Sequence, residues 1–245
     1  MSENISTARG ISQIAWGFVF VLFHIRINTI DLLPDFAGYI LIAIGIGTLA
    51  GKLAHLKALK PLSIVISIWT ASLWFTEALT LTSFLSAGYM STVMGYLSTA
   101  MGIVILIFNI ILLTDLSELA AKYQPEDKNI DRRLIVARNI YAVCYSVSIG
   151  LSLSALLTLN KIPEILSAIT MALSLVSGLA MLVAMILILI SLFSLRKIIS
   201  DAEIKQAYTS YNIPPFSTEG VPPYVFSEAP INEEPSEIPD NRETQ

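Results

Sequence analysis

The pattern of apolar and polar positions divides the chain into six long apolar runs, separated by short polar breaks and followed by a polar tail. The runs are Ile11–Ile30, Pro34–Leu53, Pro61–Phe84, Met90–Leu113, Leu134–Leu159 and Ile165–Leu195. A helix needs about 20 mainly apolar residues to cross a hydrocarbon core about 30 Å thick. Each run meets that length, so the pattern predicts an all-α polytopic transmembrane bundle of six spans over residues 11–207. Residues 1–10 form a polar N-terminus. No Lys/Arg-rich start or small-residue cleavage site marks the first run as a removable signal, so it is read as a retained span.

The even-numbered runs share a habit at their exits. Leu49, Leu53, Leu56 and Leu59 follow the second, Leu113, Leu116 and Leu119 the fourth, and Leu192, Leu195 and Ile199 the sixth. Spacings of three and four place each set on one helical face. Three repeated hairpins with cytoplasmic helical extensions fit this pattern. Ordinary amphipathic ends at the membrane interface fit it too.

Composition agrees with a lipid solvent. Only 14% of the 245 residues are charged and 54% are hydrophobic, against about 25% charged in soluble domains. The charges also orient the chain. With the N-terminus inside, the inner segments hold thirteen basic residues: Arg9, Lys52, Lys57, Lys60, Lys122, Lys128, Arg132, Arg133, Arg138, Arg196, Lys197, Lys205 and Arg242. The outer side holds two, Arg26 and Lys161. By the positive-inside bias both termini are cytoplasmic. No basic cluster suggests nucleic-acid binding, and the single Cys144 excludes an intramolecular disulfide.

From Tyr208 the composition changes. Seven prolines and many acidic or small polar residues fill the last 38 positions, 208–245. Such a segment buries too little apolar surface to offset its ordering entropy, so a disordered cytoplasmic tail is expected. Within it, Ile213-Pro214-Pro215-Phe216 recurs as Val221-Pro222-Pro223-Tyr224. Proline pairs beside an aromatic favour an extended conformation that a partner's groove grips cheaply. The tail is thus either a docking peptide for a protein partner or a plain low-complexity segment.

The densest polar cluster runs from His24 to Tyr39 and contains Arg26, Asp31, Pro34 and Asp35. The stretch Ile30-Asp31-Leu32-Leu33-Pro34-Asp35-Phe36-Ala37-Gly38-Tyr39-Ile40-Leu41-Ile42 resembles the "DILPDFIGYILI" signature of a family of uncharacterised, mainly Gram-positive, bacterial membrane proteins. The resemblance covers the first helical hairpin, about residues 15–50, and Ala37 departs from its usual bulkier residue. It implies a bacterial inner-membrane location and carries no activity.

Two readings fit the cluster. In the first it builds a hairpin. Pro34 suits a first helical turn, Asp31 or Asp35 caps that helix, Arg26 pairs with a carboxylate across the turn, and Gly38 allows close helix approach. In the second, Asp31 and Asp35 with His24 form a cation or proton site, with Glu77 near the outer end of the third run completing it. Gln13, Gly17, His24 and Asn28 would then form a polar stripe facing the bundle interior. Elsewhere, Asn109 is a candidate cross-helix hydrogen bond. Gly95 with Ser91, Ser98 and Gly102, and Gly47 with Ala43 and Gly51, are small-residue packing faces. The serines of the fifth and sixth runs are read as packing too.

Enzyme signatures are missing: no His-Glu-x-x-His pair, no Gly-x-Ser-x-Gly turn and no phosphate-binding glycine loop. The expectation is a non-enzyme with no metal or cofactor. Two functions remain open. One is a membrane component that binds a partner through its tail. The other is a small-solute or ion transporter with a site near the outer ends of the first three helices.

Overall fold

The structure, a computed structural model, describes residues 5–22, 26–27, 30–31, 34–51, 56–78, 89–125, 128–157 and 164–210. The described elements are α1 (Ile5–Leu22), β1 (Arg26–Ile27), β2 (Ile30–Asp31), α2 (Asp35–Leu49), α3 (Leu56–Ala78), α4 (Tyr89–Tyr123), α5 (Ile130–Leu157) and α6 (Glu164–Ser210). The protein is an all-α helical bundle with one minimal β ribbon. Contacts divide the chain into two units, Met1–Ala207 and Tyr208–Gln245. The bundle is the first. The tail residues Pro214, Pro215, Phe216, Pro222, Pro223 and Tyr224 lie outside the described residues.

Helices α3, α4, α5 and α6 are long and apolar enough to cross a membrane, so the chain is a membrane protein. Helices α1 and α2 are apolar but shorter, with 18 and 15 residues. The described part of α1 ends at Leu22, and the chain is extended again by Arg26. The β-branched residues Ile27 and Ile30 favour extended backbone over helix. Where the sequence pattern predicts the end of the first span, the chain instead forms an antiparallel pair with Arg26 opposite Asp31 and Ile27 opposite Ile30. Of the predicted stripe, Gln13 and Gly17 lie on α1. His24 and Asn28 lie outside the described residues.

Helices α1 and α2 meet through two reciprocal glycine pairs. A Cβ on Gly17 would stand 2.7 Å from the Gly38 carbonyl oxygen, and one on Gly38 would stand 2.6 Å from that of Gly17. Gly10 and Gly45 repeat the arrangement, with 2.6 Å from a Gly45 Cβ to the Gly10 oxygen. Both glycines on each helix are seven residues apart, so the two pairs lie along one antiparallel seam. The small-residue face expected from Ala43, Gly47 and Gly51 is not this seam. Gly47 is exposed and the atoms nearest a Cβ there belong to the Lys60 side chain, and a Cβ on Gly51 would meet nothing within 4 Å.

Two further elements depart from the sequence pattern. Pro34 is the N-cap of α2, with φ −68° and ψ 135°, and supplies no side-chain hydrogen bond. Pro61 sits inside α3 instead of opening it, because the helix starts earlier, at Leu56. The leucine set after the second run is therefore split: Leu49 ends α2, and Leu56 and Leu59 open α3. Gly51, a poor helix former, lies just past the α2 terminus. Helices α4 and α6 do continue beyond their apolar runs, to Tyr123 and Ser210.

The core lies towards one end of the bundle. It gathers Ile11 and Ile14 of α1, Ile46 and Leu49 of α2, Leu56 of α3, Leu112, Leu116 and Leu119 of α4, Leu134 of α5, and Leu192, Leu195 and Ile199 of α6. Towards the other end the described helices turn large apolar side chains outward, as with Leu175, 66% exposed, and Met171, 77% exposed. Outward apolar faces suit contact with lipid. Helix α6 attaches through side chains: Trp16 meets Phe193 edge to face at 5.9 Å, and the Ser177 hydroxyl donates to the Cys144 carbonyl at 2.9 Å.

Candidate functional site

The six described helices line a half-open cavity of about 350 Å³. Every helix contributes to its wall. Phe18 and Leu22 come from α1, Ile42 from α2, Ile105 from α4, and Met181 and Met185 from α6. These apolar side chains surround a concentrated polar group: Asp35 and Tyr39 of α2, Thr70 of α3, Asn109 of α4, and Tyr141 and Tyr145 of α5.

Local sequence places each of these. Asp35 is the first residue of α2, where the helix dipole favours its negative charge. Tyr39 follows one turn later on the same face. Their helix is fixed against α3 by two serines: the Ser67 hydroxyl donates to the Phe36 carbonyl at 3.0 Å, and the Ser63 hydroxyl to the Tyr39 carbonyl at 2.9 Å. Tyr141 and Tyr145 are also four residues apart, and their rings stack at 5.4 Å with 24° between planes. Tyr39 stands edge-on to Phe108, 6.2 Å away.

Asn109 links the two sides. It is 4% exposed, and its Nδ2 donates to the Tyr141 hydroxyl at 2.9 Å. The Asn109 Oδ1 is buried without a hydrogen-bond partner among the described residues. Asp35 lines the same cavity as Tyr39 and Tyr145. The cavity therefore joins a carboxylate, an unused amide acceptor, phenol hydroxyls and aromatic faces with an apolar remainder.

Of the polar residues singled out in the sequence, Asp35 and Asn109 reach this cavity. Arg26 and Asp31 oppose each other in the ribbon. Glu77 falls in the last turn of α3. The side chains of Arg26, Asp31 and Glu77, with all of His24, lie outside the described residues. Tyr39, Tyr141 and Tyr145 were not predicted. Their signal was the spacing of four between Tyr141 and Tyr145 within an apolar run. Gly95 does face a neighbouring helix: a Cβ there would stand 2.6 Å from Cδ2 of Leu156.

At the opposite end of the bundle the polar contacts are structural. Gln124 closes the loop before α5. Its Oε1 accepts from the Ile130 and Asp131 amides at 2.8 and 3.2 Å, while its Nε2 donates to Asp131 at 2.7 Å. The Arg138 guanidinium donates to the Thr114 hydroxyl at 2.7 Å. Asp115, 5% exposed, is a buried carboxylate that the sequence pattern did not mark. Among the described residues no three His, Cys, Asp or Glu side chains group as metal ligands would.

No family model, curated protein or solved structure matches the chain.

Proposed function

We propose that this protein is a six-span membrane protein that binds a small solute in the cavity between its helices, as a carrier or channel does. The polar cavity lined by all six helices carries the reading. Polar side chains inside a membrane bundle are costly and collect where a solute, ion or proton is handled. Pockets that hold small molecules have the same make-up: mostly apolar walls, a few convergent polar groups and a volume of about 300 Å³ or more. The site differs from the one expected at the outer ends of three helices. It keeps Asp35, and adds Tyr39 of α2, Thr70 of α3, Asn109 of α4, and Tyr141 and Tyr145 of α5.

The proposed topology has both termini in the cytoplasm. Thirteen of the fifteen basic residues then face inward. The α1–α2 hairpin returns the chain to the side on which it began, so α3 to α6 keep the same orientation whatever depth the hairpin reaches. The likeness of residues 30–42 to a bacterial membrane-protein signature supports the bacterial inner membrane as the host. Cysteine substitution tests the topology in a Cys144→Ser background. Asp201→Cys should react with an impermeant maleimide only in inside-out vesicles, and Ser86→Cys only in intact cells. The reverse pattern overturns the orientation.

Solute binding is tested by the thermal midpoint of the detergent-purified chain against a panel of small solutes, with Asn109→Leu as control. A solute that raises the midpoint of the natural chain and not of the variant supports the cavity. If no solute in the panel does so, the reading fails.

A second reading is favoured by the duplicated Pro-Pro-aromatic element at Pro214–Phe216 and Pro222–Tyr224. Here the protein is a non-catalytic membrane component whose tail holds a partner protein. Removing residues 211–245 should then abolish co-purification of that partner and leave solute binding intact.

A further inference from the structure

We propose that a groove between α2 and α3 seats an acyl chain of an anionic phospholipid, with the lipid's phosphate on Lys60. This surface is separate from the cavity, and the proposal stands whether or not the cavity binds a solute.

The groove has a volume of about 600 Å³. Ile40, Ile44 and Gly47 of α2 form one wall, and Ile64 and Ile68 of α3 the other. All four isoleucines are exposed. In a membrane protein such side chains meet lipid tails. The two hydroxyls in the lining are turned to backbone: Thr48 donates to the Ile44 carbonyl and Ser67 to the Phe36 carbonyl, each at 3.0 Å. The walls therefore offer hydrocarbon, which suits an acyl chain and disfavours a polar solute.

One end of the groove is charged. Lys60 lies one turn into α3, and Ile68 is eight residues further along that helix, about 12 Å at the helical rise. A Cβ at Gly47 would stand 3.4 Å from the Lys60 Nζ and 3.5 Å from its Cε. The glycine thus gives the lysine stem room to lie over α2. An ammonium at the end of a span, followed inward by a hydrocarbon groove, is the order of groups that a phospholipid presents. Long lysine side chains near helix ends reach headgroup level in this way.

The sign of the charge selects the lipid. Among the described residues Lys60 is the one charged side chain in the lining, and no Asp or Glu offsets it there. An anionic headgroup gains this attraction in full. A zwitterionic headgroup brings a cation of its own, which the ammonium repels. One lysine at the membrane surface favours an anionic lipid by about fivefold.

Native mass spectrometry of the full chain in detergent tests the site, with equal amounts of dioleoyl phosphatidylglycerol and dioleoyl phosphatidylcholine. The two probes share their chains and differ in headgroup charge. Phosphatidylglycerol should be bound in about fivefold preference. Lys60→Gln should bring the ratio close to one. Lys57→Gln, one turn earlier, exposed and outside the groove, should leave it unchanged. Gly47→Leu should fill the groove and lower the occupancy of both lipids. If that variant does not fold, the two lysine variants still decide. Equal binding of both lipids by the natural chain overturns the proposal. So does a preference that survives Lys60→Gln, or one that both lysine variants lose alike, which is the general attraction of a basic surface. Paired chains without bound lipid would show a second copy in the groove and overturn it too.

Discussion

Asn109 of α4 and Tyr141 of α5, 32 positions apart, are joined by a buried 2.9 Å hydrogen bond from the amide Nδ2 to the phenol oxygen. It is the polar contact that ties the two long helices together at the cavity. Cross-helix hydrogen bonds in membranes contribute about 0.6 kcal/mol on average and up to about 1.7. Asn109→Ala should lower stability by about 1 to 2 kcal/mol, because the Tyr141 hydroxyl also loses its partner. A double-mutant cycle with Tyr141→Phe, followed by unfolding in mixed micelles, should return a coupling of about 0.6 kcal/mol or more. A coupling of zero would show that the contact is incidental.

The glycine seam makes a sharper demand. At Gly17 a Cβ would stand 2.5 Å from Cγ1 of Ile42 and 2.7 Å from the Gly38 oxygen. The second of these is backbone and cannot rotate away. Gly17→Ala should therefore force the α1–α2 pair apart and cost about 1 to 3 kcal/mol. Gly150→Ala is the internal control. A Cβ there meets nothing within 4 Å, and removing a helical glycine should stabilise by about 0.5 to 1 kcal/mol. Opposite signs for the two variants in one thermal assay are the expected result.

Gln124 is expected to set the start of α5. Its side chain satisfies two backbone amides that the helix itself leaves without partners, and it also holds Asp131. Gln124→Ala should cost about 1 kcal/mol. Hydrogen exchange should quicken at Ile130 and Asp131 and stay unchanged at the middle of α5. Uniform exchange along α5 would count against the cap.

The cavity can also be filled from α6. Gly178 lines it, and a Cβ there would meet nothing within 4 Å. Gly178→Leu should leave the thermal midpoint unchanged or higher, because the replacement is a better helix former. It should also abolish the rise in thermal midpoint that a cavity-binding solute gives the natural chain. Undiminished binding in a folded Gly178→Leu protein would place the ligand elsewhere.

Much of this protein is legible from its sequence for a plain physical reason. Lipid makes the length of an apolar run a direct measure of a spanning helix. The four long helices and the change of composition after Ala207 follow from local pattern, and Asp35 and Asn109 stand out in it as individual polar residues. The end of α1 is different. An apolar run does not distinguish helix from extended chain when β-branched residues crowd it, so the ribbon at Arg26–Asp31 replaced the expected helical turn.

What only the tertiary structure decided is which residues meet. Periodicity tells which face of a helix a residue occupies, but not which partner helix lies opposite. The glycines of α1 and α2 carry a spacing of seven that is visible in the sequence, yet only their reciprocal approach shows that Gly38 and Gly45, not Gly47, form the seam. Asp35 belongs to a hairpin motif and Asn109 to a different helix. Their convergence with Tyr39, Tyr141 and Tyr145 on one cavity depends on how six helices pack, through contacts between residues far apart in the chain.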